Sequence, residues 1–266
     1  MTQAGPTPAQ CRICSAESLP FSTARILARY DIAYFRCAAC GFVQTEKPYW
    51  LKEAYADAIT HTDIGVVRRN IDLSRLLRVM LPLIVDPGKS FLDYGGGYGM
   101  LVRLMRDEGF DFHWHDAYCQ NLFAKDFVAE RGRKYELLTA FEVFEHLEHP
   151  WDELRTMLEY SDTILLTTMI LPEPCPHPDE WWYYGLDHGQ HISFHTVASL
   201  HKLAAGSGAN LYSNGAHTHL ITRRPISARR FGFALRKSAR WLAPLFRRKS
   251  LLEDDFANSV ARAARQ

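Results

Sequence analysis

Short apolar runs recur along the middle of the chain, each closed by a polar residue or a glycine turn. Phe91-Leu92, Phe110 to Trp114, Tyr135 to Ala140 and Thr163 to Leu166 are four of them. Such near-continuous runs suit strands buried on both faces, the pattern of a parallel sheet. Between them lie stretches with helical spacing. Met100 to Met105 opens an amphipathic helix, and Ile71, Leu73, Leu76, Leu77 and Met80 repeat along another. Strands alternating with helices predict an α/β fold. Leu51, Ala54, Tyr55, Ala58 and Ile59 form an earlier helical pattern, separated from the next by Asp63-Ile64-Gly65. Pro82 and Pro87-Gly88 are expected to end the second helix. Residues 49–87 therefore read as a helical connector, either packed on the main domain or serving as a lid.

Ahead of this pattern stand Cys11-Arg-Ile-Cys14 and Cys37-Ala-Ala-Cys40-Gly41, with 22 residues between the pairs. Two such knuckles present four thiolates, a ligand set for tetrahedral Zn²⁺. Gly41 allows the tight turn the second knuckle needs. A redox dithiol would follow a strand in a βαβ unit, whereas Pro6, Pro8 and short polar stretches surround these cysteines. Ile32 to Arg36 reads as a strand between the knuckles. Residues 1–48 are thus predicted to form a zinc ribbon-like module with structural zinc held by Cys11, Cys14, Cys37 and Cys40. Cys119 and Cys175 read as ordinary thiols.

Composition narrows the partners. The chain has 266 residues, with 31 Lys+Arg against 30 Asp+Glu and a net charge of +1. That balance argues against holding nucleic acid by bulk electrostatics. No run approaches the roughly 18 apolar residues of a membrane span. The opening Met1 to Pro8 has neither a basic nor an apolar signal region, so the expected location is cytoplasmic.

Phe91-Leu92-Asp93-Tyr94-Gly95-Gly96-Gly97-Tyr98-Gly99 is an acid-tipped strand, a glycine turn and then a helix. Glycines are needed where backbone approaches a ligand and enters a helix sharply, and the helix N-terminus offers free N–H groups. Met100 breaks the G-x-G-x-x-G/A dinucleotide pattern, and Gly88-Lys89-Ser90 precedes the strand instead of following it as a P-loop does. D-x-G-x-G-x-G fits without a gap. It resembles motif I of class I S-adenosylmethionine-dependent methyltransferases.

The resemblance covers roughly residues 88–225 and implies a Rossmann-like seven-stranded methyltransferase sheet. It makes Phe110 to His115 the second strand, with Asp116 accepting hydrogen bonds from the cofactor's ribose. It places adenine contacts at Asp126-Phe127, and makes Tyr135 to Ala140 the fourth strand and Asp162 to Thr168 the fifth. Asn210 to Ser213 and His217 to Arg223 become the closing antiparallel pair. The cofactor-binding set it implies is Asp93, Gly95, Gly97, Gly99, Asp116, Phe127 and Phe141. Phe141-Glu142-Val143-Phe144-Glu145-His146-Leu147 is very like the E-V-x-E-H-L signature of ubiquinone-pathway O-methyltransferases and many sugar methyltransferases. The zinc module joined to this domain is similar to that of sugar methyltransferases in polysaccharide and antibiotic pathways, which implies a sugar-containing or other small hydroxylated acceptor.

Methyl transfer from a sulfonium needs a positioned acceptor and removal of its proton. Glu142, Glu145 and His146 are spaced i, i+3, i+4, one face of a helical turn, and His191 arrives from a later loop. The four form an oxygen and nitrogen set suited to Mg²⁺, Mn²⁺ or Zn²⁺, and resemble the metal site of small-RNA 3′-end methyltransferases. Three roles stay open: a catalytic metal site, a metal-free base or acceptor-positioning group at His146 or His191, or a structural cap. His191 is the preferred single catalytic residue. Trp181-Trp182-Tyr183-Tyr184, in a proline-rich loop, reads equally as a stacking surface or as core. Two further readings remain: a metal-assisted RNA-end methyltransferase, and a non-catalytic zinc-ribbon interaction protein with a methyltransferase-like fold.

Residues 226–266 are predicted to form a basic helical tail. From Arg223 to Lys249 there are ten Lys/Arg and no acid, with Phe231, Ala234, Leu235, Trp241, Leu242 and Leu245 near helical spacing. Such a tail either packs with a solvated basic face or contacts an anionic membrane peripherally, at the inner face.

Overall fold

A computed structural model describes residues 7–56, 60 and 62–265; Ala58 and Ile59 of the first helical pattern lie outside them. Two sheets organise the chain. The first has the order β1-β2-β3-β4-β9, from β1 (Ala9–Gln10), β2 (Glu17–Ile26), β3 (Tyr30–Cys37), β4 (Val43–Thr45) and β9 (Ser193–Phe194). It is antiparallel throughout, with a bulge between Pro20 and Ser22 in β2. The second has six strands in the order β10-β11-β8-β7-β5-β6: β5 (Ser90–Tyr94), β6 (Asp111–His115), β7 (Leu137–Phe141), β8 (Thr163–Thr167), β10 (Asn210–Ser213) and β11 (Thr218–Thr222). β5 runs parallel to both β6 and β7, and β10 and β11 are antiparallel. The α/β class and the closing pair are as expected.

The expected seventh strand is absent among the described residues. Beside β6 there is only an isolated parallel bridge from Trp114 to Val128. The following segment, Glu130-Arg131-Gly132-Arg133-Lys134, is charged and broken by a positive-φ glycine, so it has no apolar face to bury as a strand.

Contacts divide the chain into two compact units. One comprises 1–62, 142–156 and 166–223. Its core gathers Ile26, Ile32, Tyr34, Val43, Trp50, Tyr183, Tyr184, Ile192 and Phe194. The 1–48 module therefore does not close on itself: β4 pairs with β9, a strand roughly 150 residues downstream. Trp50 Nε1 donates to the Gly189 carbonyl at 2.8 Å, and Trp151 Nε1 to the Ile13 carbonyl at 2.9 Å. Helix α1 (Leu51–Ala54) is one turn, and α5 (Val197–Gly206) begins with a capping box from Thr196 to Ser199.

The other unit comprises 63–141, 157–165 and 224–266. Its longest helix, α2 (Val66–Ile84), passes through Pro82 instead of ending there, because a proline so near the C-terminus removes one backbone donor without stopping the last turn. Helix α3 (Met100–Asp107) follows the glycine turn. α4 (Pro150–Tyr160) leads into β8, and α6 (Ala228–Ala234), a 3₁₀ segment (Lys237–Phe246) and α7 (Leu252–Ala263) form the tail. α7 is clamped to α3: Arg106 donates twice to Asp255, at 2.7 and 2.8 Å, and both side chains are buried. Among the described residues no helix is long and apolar enough to cross a membrane.

Candidate functional site

Four thiols converge at the knuckles. Sγ of Cys11 lies 3.7 Å from that of Cys40, and Cys14 Sγ lies 3.4 Å from Cys37 and 3.6 Å from Cys40. A tetrahedron with Zn–S near 2.3 Å has edges of about 3.8 Å, so the cluster fits zinc with little adjustment. The hydrogen bond from Cys40 pulls the Cys11 thiol down to about 5, favouring the thiolate a metal needs. Between the knuckle cysteines, Arg12 turns inward. Its guanidinium donates to the carbonyls of Thr45 (2.9 Å), Glu46 (3.1 Å) and Ile192 (3.4 Å). Thr196 Oγ1 also donates to the Cys40 carbonyl at 2.6 Å. The knuckles thus grip the strand that follows His191, a link that basic-residue counting gave no reason to expect.

A second cluster lies in the same unit. A 3₁₀ turn, Phe144–His146, carries Glu145 and His146. Glu145 is fully buried and neither carboxylate oxygen has a hydrogen-bond partner. The Tyr183 and Thr168 hydroxyls favour its ionised form, but neither meets it in hydrogen-bond geometry, and they bond each other at 3.3 Å. Burial, reinforced by Glu142, holds the Glu145 carboxyl well above the usual carboxylate range. His146 Nδ1 lies 3.1 Å from the Gln190 carbonyl and 2.9 Å from the Tyr55 hydroxyl; His191 Nδ1 lies 2.6 Å from the Tyr183 carbonyl. A carbonyl only accepts, so each Nδ1 carries the proton and each Nε2 keeps its lone pair. Burial depresses His146 to about 4 and His191 well below the ordinary range, so both are neutral at pH 7. The donor atoms of Glu145, His146 and His191 all lie within 4.8 Å of one another. They would need to draw in by under about 1 Å to share one ion.

Glu142 does not join this group. It sits outside the 3₁₀ turn at φ +54°, so the expected i, i+3, i+4 face is not formed. A non-glycine residue there stores strain of roughly 1 kcal/mol or more. Thr167 holds it, its carbonyl accepting from Glu142 N at 3.1 Å and its hydroxyl donating to Glu142 Oε1 at 2.7 Å. Of the aromatic quartet, Tyr183 and Tyr184 are core, whereas Trp182 is 76% exposed.

The glycine turn lies in the other unit. Gly95 N and Gly96 N donate to the His115 carbonyl at 2.8 and 3.1 Å, tying the turn to the end of β6. Gly99 caps α3 at φ +84°, and a Cβ there would meet Asn121 Oδ1 at 2.8 Å. Gly97, at φ +53°, has nothing within 4 Å of a Cβ position. Its outer side is therefore open, as a backbone that receives a ligand must be. Asp116 Oδ2 accepts from Gly97 N at 2.9 Å, and Oδ1 accepts from Tyr118 N and Cys119 N at 2.7 and 2.8 Å. Ionised, such a carboxylate has about four acceptor positions, so these three bonds orient it without exhausting it.

Asp93 is 4% exposed and accepts from Thr139 Oγ1 at 2.6 Å. Burial pushes its carboxyl up to about 7, with the Asp116 charge adding to the rise. Trp114 Nε1 donates to the Gly97 carbonyl at 2.8 Å. Thr139, Trp114 and Asn121 support the turn but carry no motif. Only their placement at strand ends and in the Asp116 loop marks them. Phe127 is half-buried with the Arg106 guanidinium 3.6 Å from its ring centre, and Asp126 accepts from Ser259 of α7. Phe141 closes β7, half-buried.

No curated protein sequence matches the chain. The structure is similar to an O-methyltransferase family 2 protein from Planctomyces limnophilus DSM 3776 in complex with apigenin, at 13% identity and TM-score 0.42, over 65% of this chain and 66% of that one. It is similar to the mitomycin 7-O-methyltransferase MmcR at 12% identity and TM-score 0.45, over 66% and 60%. It is also similar to CalO1, a methyltransferase in calicheamicin biosynthesis in its SAH-bound form, at 15% identity and TM-score 0.42, over 65% and 61%. In each case the match spans less than two thirds of the other chain's length. The family model described as "Methyltransferase domain" matches residues 67–214, more than half of the sequence. With the glycine turn, Asp93 and Asp116 inside that span, the chain belongs to the class I S-adenosylmethionine-dependent methyltransferase-domain family, joined to an N-terminal four-cysteine cluster.

Proposed function

We propose that this protein methylates a hydroxyl of a small, sugar-containing or otherwise polyhydroxylated acceptor. When bound, S-adenosylmethionine supplies the electrophilic methyl group. Asp93, Gly95, Gly97, Gly99 and Asp116 bind it: the open side of Gly97 admits the ligand, Asp116 offers its remaining acceptor positions to ribose hydroxyls, and Asp93 offers a carboxylate to the cofactor's positive charge. Phe127 and Phe141 supply apolar contact beside it.

Glu145, His146 and His191 handle the acceptor. The observation that carries this assignment is a fully buried carboxylate with no hydrogen-bond partner beside two imidazoles that each keep a free Nε2. A fold retains an orphaned buried carboxyl at a cost of about 1–3 kcal/mol, which points to use rather than packing. The three residues would hold a divalent cation, whose Lewis acidity lowers the pKa of a hydroxyl. Glu142, held strained by Thr167, sits beside them as a further acceptor for hydroxyl protons. The exposed indole of Trp182 offers a face on which a sugar ring can stack. The four-cysteine cluster holds structural zinc, and Arg12 transmits its rigidity to the carbonyl of Ile192, next to His191.

The test is His191→Ala, assayed with methyl-tritiated donor against a panel of nucleoside-diphosphate sugars, glycosides and catechols. Donor affinity is expected to stay within about twofold, while turnover of the accepted substrate falls at least about tenfold. Unchanged turnover overturns the assignment of the acceptor side.

A further inference from the structure

We propose that the basic tail docks on an anionic lipid surface through Trp241, Leu245 and the cations around them. The tail lies outside both the glycine turn and the Glu/His cluster. Its inner side is anchored. Phe231 and Ala234 of α6 are buried, and Ala239 and Ala243 of the 3₁₀ segment pack on Val79 of α2, with Leu83, Phe233 and Phe246 around them. The opposite side carries Trp241, 85% exposed, and Leu245, 76% exposed. Buried Ala239 and Ala243 and exposed Trp241 and Leu245 share the same spacing, two residues out of step. One face is thus committed to the protein and the other is left to water.

The same segment carries the charge. Between Arg223 and Lys249 there are ten Lys/Arg and no acid. Four have partners. Arg224 pairs with Glu136, Lys249 with Asp254, and Arg223 and Arg248 donate to the carbonyls of Ser207 and Gly109. Arg229, Arg230, Arg236, Lys237, Arg240 and Arg247 are exposed and make no ion pair among the described residues. Arg240 lies in the field of Asp72, a carboxylate already bound by Arg68 and Arg75. Six such exposed cations in the segment that also bears an exposed indole and an exposed aliphatic side chain match the chemistry of a membrane interface. Phosphate headgroups meet the cations, the indole lies at headgroup level, and the leucine enters the acyl boundary. An RNA strand would use the cations and could stack on Trp241, but it offers nothing to Leu245. Outside residues 223–249 the chain has 21 Lys+Arg against 30 Asp+Glu, a net charge of −9, so an anionic surface attracts this segment and repels the rest, which orients the protein.

The experiment is co-sedimentation of the full chain with vesicles of phosphatidylglycerol or of phosphatidylcholine, at low and high salt. Binding to phosphatidylglycerol is expected to be at least about tenfold tighter than to phosphatidylcholine and to be lost at high salt. The double variant Trp241→Ser/Leu245→Ser should lose at least about tenfold in binding with its melting temperature unchanged, since both side chains are exposed. A charge variant, Arg236→Gln/Lys237→Gln/Arg240→Gln, should lose as much without touching the apolar pair. Equal binding to the two lipids, or wild-type binding by both variants, overturns the proposal. So does binding of a single-stranded RNA oligomer through these residues while vesicles are ignored.

Discussion

Replacing Glu145 with methionine should make the metal-free protein more stable and less active, two effects that an ordinary core residue does not combine. Glu145 is fully buried, and both its oxygens lack partners. Leaving a buried polar group unsatisfied costs about 1–3 kcal/mol. Methionine has nearly the same shape and no such demand. Glu145→Met should therefore recover most of that cost in the absence of metal, as buried charged groups often do when replaced by apolar ones. For a chain of this length about 1 kcal/mol moves the melting temperature by roughly 2–4 °C, so a rise of a few degrees is expected. The assay is scanning calorimetry with and without Mn²⁺, which competes poorly for the thiolates of the knuckles. Wild type should gain stability with Mn²⁺, by about 2.7 kcal/mol at a hundred times the dissociation constant. The variant should not respond, and its methyl-transfer turnover should fall. A variant that melts lower than wild type, yet still responds to Mn²⁺ and turns over normally, would refute the reasoning. Glu145 would then be a core group with a partner hidden from the structure.

Three further outcomes follow from the same geometry. Elemental analysis of purified protein should find about one zinc per chain, and a value under half an equivalent counts against the four-cysteine site. Arg12→Met should cost about 2–3 kcal/mol in urea unfolding, because it leaves the carbonyls of Thr45, Glu46 and Ile192 without their charged donor; a loss under about 0.5 kcal/mol would show that the grip is incidental. Asp93, raised to about 7 in the fold from about 3.9 when unfolded, favours folding fully below about pH 4 and loses that contribution as pH rises through about 7. Asp93→Asn should flatten this decline, and in wild type the affinity for the cationic donor should rise over the same interval; a pH-independent affinity would exclude Asp93 from its binding.

The chemistry-bearing motifs were legible because each needs particular residue types at fixed spacing. Two CxxC pairs announce a tetrahedral site, and D-x-G-x-G-x-G announces a strand turning into a helix beside a ligand. The closing antiparallel pair was expected from the family resemblance, and β10 and β11 form it. Other features depend on contacts between residues distant in sequence. Nothing near Cys11 indicates that Arg12 reaches Ile192, or that Ser193–Phe194 completes the N-terminal sheet. Helical spacing put Glu142 on one face with Glu145 and His146, but the chain leaves β7 through a left-handed residue, and Thr167 decides where that carboxylate goes. The quartet Trp181 to Tyr184 divides between core and surface because a 3₁₀ turn sends Tyr183 and Tyr184 inward and Trp182 outward. The seventh strand was expected from resemblance alone, and the charged segment after Val128 lacks the apolar residues that would form it.

Whether the glycine turn receives S-adenosylmethionine is decided by titration calorimetry on wild type and on Gly97→Val. Valine at 97 meets no protein atom within 4 Å of its Cβ, so any steric block falls on what enters the turn; its positive φ adds backbone strain of about 1–3 kcal/mol, so the variant's fold is checked by its melting curve. Wild type should bind about one equivalent, displaced by S-adenosylhomocysteine, and Gly97→Val should bind none while remaining folded. Absence of heat with wild type, undiminished binding by the valine variant, or preferential binding of a nicotinamide dinucleotide or nucleoside triphosphate would contradict the account.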